Sequence, residues 1–316
     1  MLFMLAAIAL TACSSDDNES SDNSKSMIPK RTYRLEVQAG NGAKTRALSL
    51  NDTGKKLTAY WEQGENVGLH AMYDDDIVVT PVYIGYITAN QTGNPTTFVG
   101  DVEEAPYYHY IDVGTELVFT YPDYHDEGYV FQYKDGQNGT IEKIATTFDY
   151  ASATAKVKSF TAQQGGDKLY IMLEGSEEGG NKIIFRNHTA ITAFSFEDEE
   201  GNTLLPSYFE VNGKGLVEEY NLLLDEYLCF HDSDSEPVFK KGLIIEQLPS
   251  PRTVYVAMAN KYDAKTEYTF FVVARKENGI ESHNYKCKVK ANLQPGSFYA
   301  TTLKMELING PFANEN

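Results

Sequence analysis

Tyr33, Leu35 and Val37 alternate with Arg34, Glu36 and Gln38, the two-residue period of a strand that buries one face and wets the other. Short runs of the same kind recur at residues 82–87, 116–120, 169–173, 183–185, 191–196, 254–258, 268–273 and 298–307. Between them stand Asn41-Gly42, Asp135-Gly136, Asn138-Gly139, Gly179-Gly180, Gly201-Asn202, Asn212-Gly213, Asn278-Gly279 and Pro295-Gly296, pairs that supply turn geometry. The 22 Tyr and 16 Phe suit a pleated, half-buried surface. The predicted fold class is all-β, of sandwich type. Residues 216–228 and a turn around residues 51–60 are the fair helical candidates.

At 316 residues, 42% of them hydrophobic, the chain can bury two cores. The polar, Gly-rich residues 175–180 are the best place to divide them. One sandwich domain is expected over residues 31–178 and a second over 179–316. No repeat at a fixed period is evident, which argues against propellers and solenoids.

The N-terminus reads as an address. Residues 1–10 are almost wholly apolar and lead into Leu10-Thr11-Ala12-Cys13, the form of a lipobox. The run is far shorter than the roughly 20 residues that span a bilayer, so residues 1–12 are expected to be a signal peptide. Cys13 is then the lipidation site, its acyl chains anchoring the protein to a membrane. The basic residues that usually open such a signal are not there, which points to a translation start a few residues upstream. Residues 13–30 form the lipidated tether, acidic at Asp16, Asp17 and Glu19 and with nothing to bury between residues 14 and 26.

Charge and chemistry narrow the function further. Net charge is −18, from 27 basic and 45 acidic residues, so a phosphate backbone is repelled and no nucleic-acid partner is expected. His-Glu-x-x-His, P-loop, Gly-x-Ser-x-Gly and Cys-x-x-Cys patterns do not occur, and the six histidines, at positions 70, 109, 125, 188, 231 and 283, are scattered. His188 reads as a packed or hydrogen-bonded sheet residue. Residues 232–236 have the Asp-x-Asp spacing of a calcium ligand set but lack its glycine and its closing carboxylate, where Leu243 stands. They read as a solvated acidic loop, as do residues 74–76 and 197–200. Tyr107, Tyr108, His109, Tyr110, Tyr121, Tyr124 and Tyr129 could form a sugar-stacking platform, although alternation favours core packing for about half of them. Cys229 and Cys287 could form one disulfide or remain two buried thiols. No metal, cofactor or catalytic residue is expected.

Four segments, in order, resemble the fimbrillin family of Bacteroidota pilins and together cover nearly the whole mature chain. The first is Lys44-Thr45-Arg46-Ala47 followed by Trp61-Glu62-Gln63-Gly64-Glu65-Asn66-Val67-Gly68-Leu69, similar to the family's Thr-Arg-Ala and Trp-x-x-Gly-Asp-x-Ile-Gly-Val, with Glu65 where Asp is usual. The second, Leu117-Val118-Phe119-Thr120-Tyr121-Pro122, resembles the family's aromatic Tyr-x-Pro strand end, although here the proline follows the tyrosine directly. The third spans Phe185 to Phe194 around His188, and the fourth is Leu293-Gln294-Pro295-Gly296-Ser297-Phe298-Tyr299. The acidic tether is also similar to the export signal of outer-membrane lipoproteins in that phylum.

The resemblance implies two tandem transthyretin-like, Greek-key β-sandwich domains and a surface-exposed lipoprotein of the outer membrane, a structural or adhesive subunit of a fimbrium rather than an enzyme. It implies assembly by strand exchange after an arginine-specific protease removes the first strand, with Arg46-Ala47 as the candidate bond although Arg31 and Arg34 lie nearby. Partners would be other fimbrial subunits and host or bacterial surface ligands. Trp61, Gly64, Gly68, His188, Gly296 and Tyr299 are the structural residues of the motif. The short run after the last strand, interrupted by Gly310 and Pro311, points to a tip, anchor or accessory position. A surface glycan-binding lipoprotein is the alternative, since it shares the lipobox, the tether, tandem sandwiches and abundant tyrosines.

Overall fold

The structure is a computed structural model that describes residues 31–39, 47–50, 57–74, 79–104, 110–123, 130–162, 168–175, 180–222, 226–229, 242–262 and 264–308. In chain order the first strands are β1 Thr32–Ala39, β2 Ala47–Leu50, β3 Leu57–Tyr60, β4 Asn66–Asp74, β5 Val79–Ala89, β6 Thr96–Glu103, β7 Glu116–Tyr121 and β8 Val130–Gln132. Helix α1, Ile141–Thr147, leads to β9 Ala151–Ala162, β10 Leu169–Leu173, β11 Asn181–Ile183 and β12 Arg186–Asn187. The rest are β13 Ala190–Asp198, β14 Thr203–Gly213, β15 Val217–Asn221, β16 Glu226–Cys229, β17 Leu243–Ile245, β18 Val254–Met258, β19 Thr266–Lys276, β20 Ser282–Ala291 and β21 Phe298–Ile308. The molecule is nearly all β, as the alternation predicts.

In the first half β10, β1, β6, β5, β4, β7 and β9 are neighbours in that order, and β9 pairs again with β10, so the sheet closes on itself. β11 adds to β1 and β12 to β9. The closure is thin at one corner, where β5 and β6 share just Thr88↔Val99 and Ala89↔Phe98. Gly100 makes that corner possible: a Cβ there would stand 2.5 Å from the Tyr86 carbonyl oxygen and 2.9 Å from Ile87 Cα. This corner and the β9–β10 hairpin divide the ring into two layers, β6–β1–β10 and β5–β4–β7–β9. Their inward side chains, among them Leu35, Val37 and Phe98 from one and Leu69, Ile87 and Phe119 from the other, share one core.

The second half repeats the scheme. β13, β14, β19, β20 and β21 form a ring, with β17 added to β14 and β18 to β13. Its corners are the β13–β14 turn, paired at Phe196↔Leu204 and Glu197↔Thr203, and the far ends of β20 and β21, paired at Asn284↔Ile308, Tyr285↔Leu307 and Lys286↔Glu306. Where the sequence suggests separate facing sheets, the layers of each half are hydrogen-bonded at both corners. Strand twist brings the edges of packed layers together there.

A third core lies between the halves. β8 pairs with β15, which pairs with β16, and Phe131, Tyr133, Ile144, Phe148 and Tyr150 pack with Ile191, Val217, Tyr220, Ala257 and Ala259. The expectation of helix at residues 216–228 is corrected: the described residues there form β15 and β16, which pair antiparallel. Val217 and Tyr220 are buried there, and β8 supplies a strand for β15 to pair with, which local propensity does not register. The helix that forms is α1, capped by the Thr140 hydroxyl, which accepts the Lys143 N–H at 3.2 Å, with Glu142 in its first turn. Around the expected boundary near residue 178, strands β10, β11 and β12 all belong to the first sheet.

Candidate functional site

β1 is a short first strand held in the middle of a layer. On one side it pairs antiparallel with β6 along its whole length, from Thr32↔Glu103 to Ala39↔Thr96. On the other it runs parallel to β10 at Tyr33 and Arg34, and to β11 from Val37 to Ala39. The seam between β10 and β11 is closed by a buried side chain. Asn181 Nδ2 donates to the Glu36 carbonyl at 3.0 Å and to the Ile171 carbonyl at 2.8 Å, and its Oδ1 accepts the Leu173 N–H at 2.8 Å.

Alternation sends Tyr33, Leu35, Val37 and Ala39 inward, each at most 1% exposed. The Tyr33 ring lies 5.2 Å from Phe160, and its hydroxyl donates to Glu104 Oε1 at 2.6 Å. Burial first, and then the bond to the Glu104 carboxylate, push the Tyr33 pKa up to about 12. On the outer face Arg34 and Lys168 both reach Asp101, at 3.2 and 2.7 Å. The hydrogen bond from Lys168 is the main reason its carboxyl titrates below the usual range. These partly exposed pairs add little to stability.

The motif residues occupy two places. Trp61 is fully buried in the first core, its ring set edge-on to Phe98, Tyr121 and Phe185 at 4.6, 5.4 and 5.4 Å. Gly64, at φ +92°, makes the turn that follows it, and Gly68 in β4 pairs with both Tyr86 and Thr120. The other motif residues meet at the joint between the halves. His188 Nε2 lies 2.7 Å from Ser152 Oγ, and its ring stacks on Tyr220 at 4.9 Å. The Gly296 N–H donates to the Thr189 carbonyl at 2.8 Å. Its φ of +73° and its approach to Asn187 both demand glycine. The Tyr299 hydroxyl, which donates to the Asn292 carbonyl at 3.1 Å, closes the same loop.

Cys229 and Cys287 are thiols rather than a disulfide, one in the third core and the other against the second. Burial pushes the Cys287 pKa up to about 12. Asp198, read from sequence as part of a solvated tip, is buried. Its carboxylate accepts from the Asn202 N–H and Nδ2 and pairs with Lys276 at 2.7 Å. Of the tyrosine platform, Tyr121 is buried and donates to Glu65 at 2.9 Å, and Tyr110 lies beneath the Arg31 guanidinium. Cys13, Arg46, Tyr107, Tyr108, His109, Tyr124, Tyr129 and residues 232–236 lie outside the described residues, and Ala47 opens β2. Among the described residues no three His, Cys, Asp or Glu side chains converge on a metal site. Sequence reasoning missed Glu104 and Asn181, whose roles depend on long-range partners and leave no local signal.

No family model matches the chain, and no curated protein matches it. Among solved structures it is similar to a proposed cell adhesion protein from Bacteroides uniformis at 14% identity and TM-score 0.44, covering 87% of this chain and 95% of that one. A proposed cell adhesion protein from Bacteroides ovatus shows 16% identity and TM-score 0.44 over 88% and 95%. A fimbrial protein from Bacteroides ovatus shows 10% identity and TM-score 0.34 over 87% of this chain and 49% of that one. At these distances the function has to be argued from the chain's own residues.

Proposed function

We propose that this chain is a fimbrillin-like cell-surface lipoprotein, a non-enzymatic structural or adhesive subunit of a fimbrium, anchored in the outer membrane through Cys13. In this reading each closed sheet is a flattened transthyretin-like sandwich, and subunits assemble by strand exchange after cleavage at Arg46-Ala47. Its partners in this reading are other fimbrial subunits and surface ligands.

The observation that supports this reading is the position of β1. It is central in its layer, it fills the first core with four side chains, and the chain that leads from it to β2 contains Arg46. A cut there turns β1 into a separate piece and its seat into a groove with two strand edges, β6 on one side and β10 with β11 on the other. Such a groove takes up an extended strand by β-augmentation.

Mass spectrometry of protein from cells, with and without an arginine-specific protease, tests it together with gels for heat-stable ladders. A mature N-terminus at Ala47 with ladders is expected. An intact acylated Cys13 in a protein that stays monomeric under protease would overturn strand exchange. The glycan-binding alternative needs a face of exposed aromatics, and among the described residues Tyr86 is the sole aromatic among the exposed large apolar side chains. Retardation in polysaccharide gels would favour that alternative.

A further inference from the structure

Glu104, directly after β6, is 4% exposed. Among the described residues its carboxylate's hydrogen-bond and ion-pair partners are Arg31 and Tyr33, at the start of β1. Oε1 accepts the Tyr33 hydroxyl at 2.6 Å, Oε2 accepts the Arg31 N–H at 3.3 Å, and the Arg31 guanidinium stands 3.9 Å from Oε1. A strand that leaves the groove therefore strips a buried carboxylate of its donors, and a strand that enters must restore them, because an unpaired buried carboxylate is costly. Asn181 behaves differently. It binds the Glu36 carbonyl, a group that every strand carries.

Resting on the strand-exchange reading, we infer that Glu104 is the specificity-determining residue of the β1 groove. It selects a partner strand that places a phenol hydroxyl at the register of Tyr33. The four inward positions add a size filter, since they taper from Tyr33 through Leu35 and Val37 to Ala39, whose methyl group is fully buried. Asn181 and the β6 edge hold the backbone of any strand, while Glu104 reads its side chain.

The test uses the full chain nicked between β1 and β2, at Arg46-Ala47 or at a protease site engineered there, so that β1 stays bound without a covalent link. Fluorescent peptides of residues 31–39, with Tyr33 or with Tyr33→Phe, compete for the groove and are followed by anisotropy. The Tyr33 peptide should bind about 10- to 150-fold more tightly than the Phe peptide, the range for a hydrogen bond to a charged group. That preference should shrink in Glu104→Gln and vanish or invert in Glu104→Leu, and the Gln variant carries the test if the Leu variant does not fold. Equal binding of both peptides, or a preference unchanged in the Glu104 variants, would overturn the inference and leave strand exchange standing. Failure of every peptide to exchange would overturn both.

Discussion

Leu35→Ala is the sharpest probe of how β1 is seated. Leu35 is fully buried at the centre of β1 and lies opposite Gly100 on β6, so the first core has no side chain at that partner position to close over a lost isopropyl group. Truncating a leucine in such a site costs about 2–5 kcal/mol, a loss of transfer energy plus an unfilled cavity. At an m-value of about 2 kcal/mol/M the urea midpoint should fall by about 1–2.5 M. In the nicked chain the same loss appears as weaker retention of the β1 peptide, by roughly 30-fold to several thousand-fold at 1.4 kcal/mol per decade. Glu36→Ala is the control: its side chain is exposed and its carbonyl still accepts from Asn181, so a change within about 0.5 kcal/mol is expected. If the two substitutions move the midpoint alike, β1 does not fill the core as described, and the groove argument fails with it.

Three further outcomes are expected. Gly100→Ala forces a methyl group against the Tyr86 carbonyl and Ile87, so urea unfolding should show a loss of about 1–3 kcal/mol, the usual cost of overpacking. Gln137→Ala removes a buried side chain that donates to the Tyr133 and Ala257 carbonyls and accepts the Ala257 N–H. Each orphaned group costs about 1–3 kcal/mol, and calorimetry should resolve two unfolding transitions where the parent chain shows one. For Asp198, burial opposes ionisation but the bonds from Lys276 and Asn202 prevail, and its pKa lies below the ordinary value. A carboxyl with a depressed folded-state pKa stabilises above its unfolded value, about 3.9, and that contribution fades as the pH falls further. The denaturation midpoint should thus drop more steeply below about pH 4 in the parent chain than in Asp198→Asn.

Much of the strand content was legible because burial on one face of a sheet imposes a two-residue period. β1, β7 and β10 fall where the alternation of residues 33–38, 116–120 and 169–173 places them. Glu104 left no such trace, because its partners Arg31 and Tyr33 stand about seventy residues earlier in the chain, and spacing within a segment cannot report that. The β15–β16 pair was missed for a related reason. Glu218 and Glu219 between Val217 and Tyr220 mimic a helical face, but β8 provides backbone partners from far away, as in Tyr220↔Phe131. His188 could be read as a packed histidine. That it lies at the joint required Ser152 and Tyr220 to be brought beside it.

The joint and the groove are separate pieces of the structure, and the proposed strand exchange requires that separation. β1 contributes Tyr33, Leu35, Val37 and Ala39 to the first core and none of the residues of the third. The elements that tie the halves together, β8, α1, Gln137 and the His188 segment, pack with β2, β9, β15, β18 and one another, and the third core they build holds no residue of β1. Withdrawing β1 therefore opens the β6–β1–β10 layer while leaving in place the pairing that holds the two halves together. In the strand-exchange reading, a subunit built this way would trade one strand for a partner's and still transmit load from half to half. On the same reading, a β1 that also packed in the joint would loosen it at each exchange, at the point where a fibre needs stiffness.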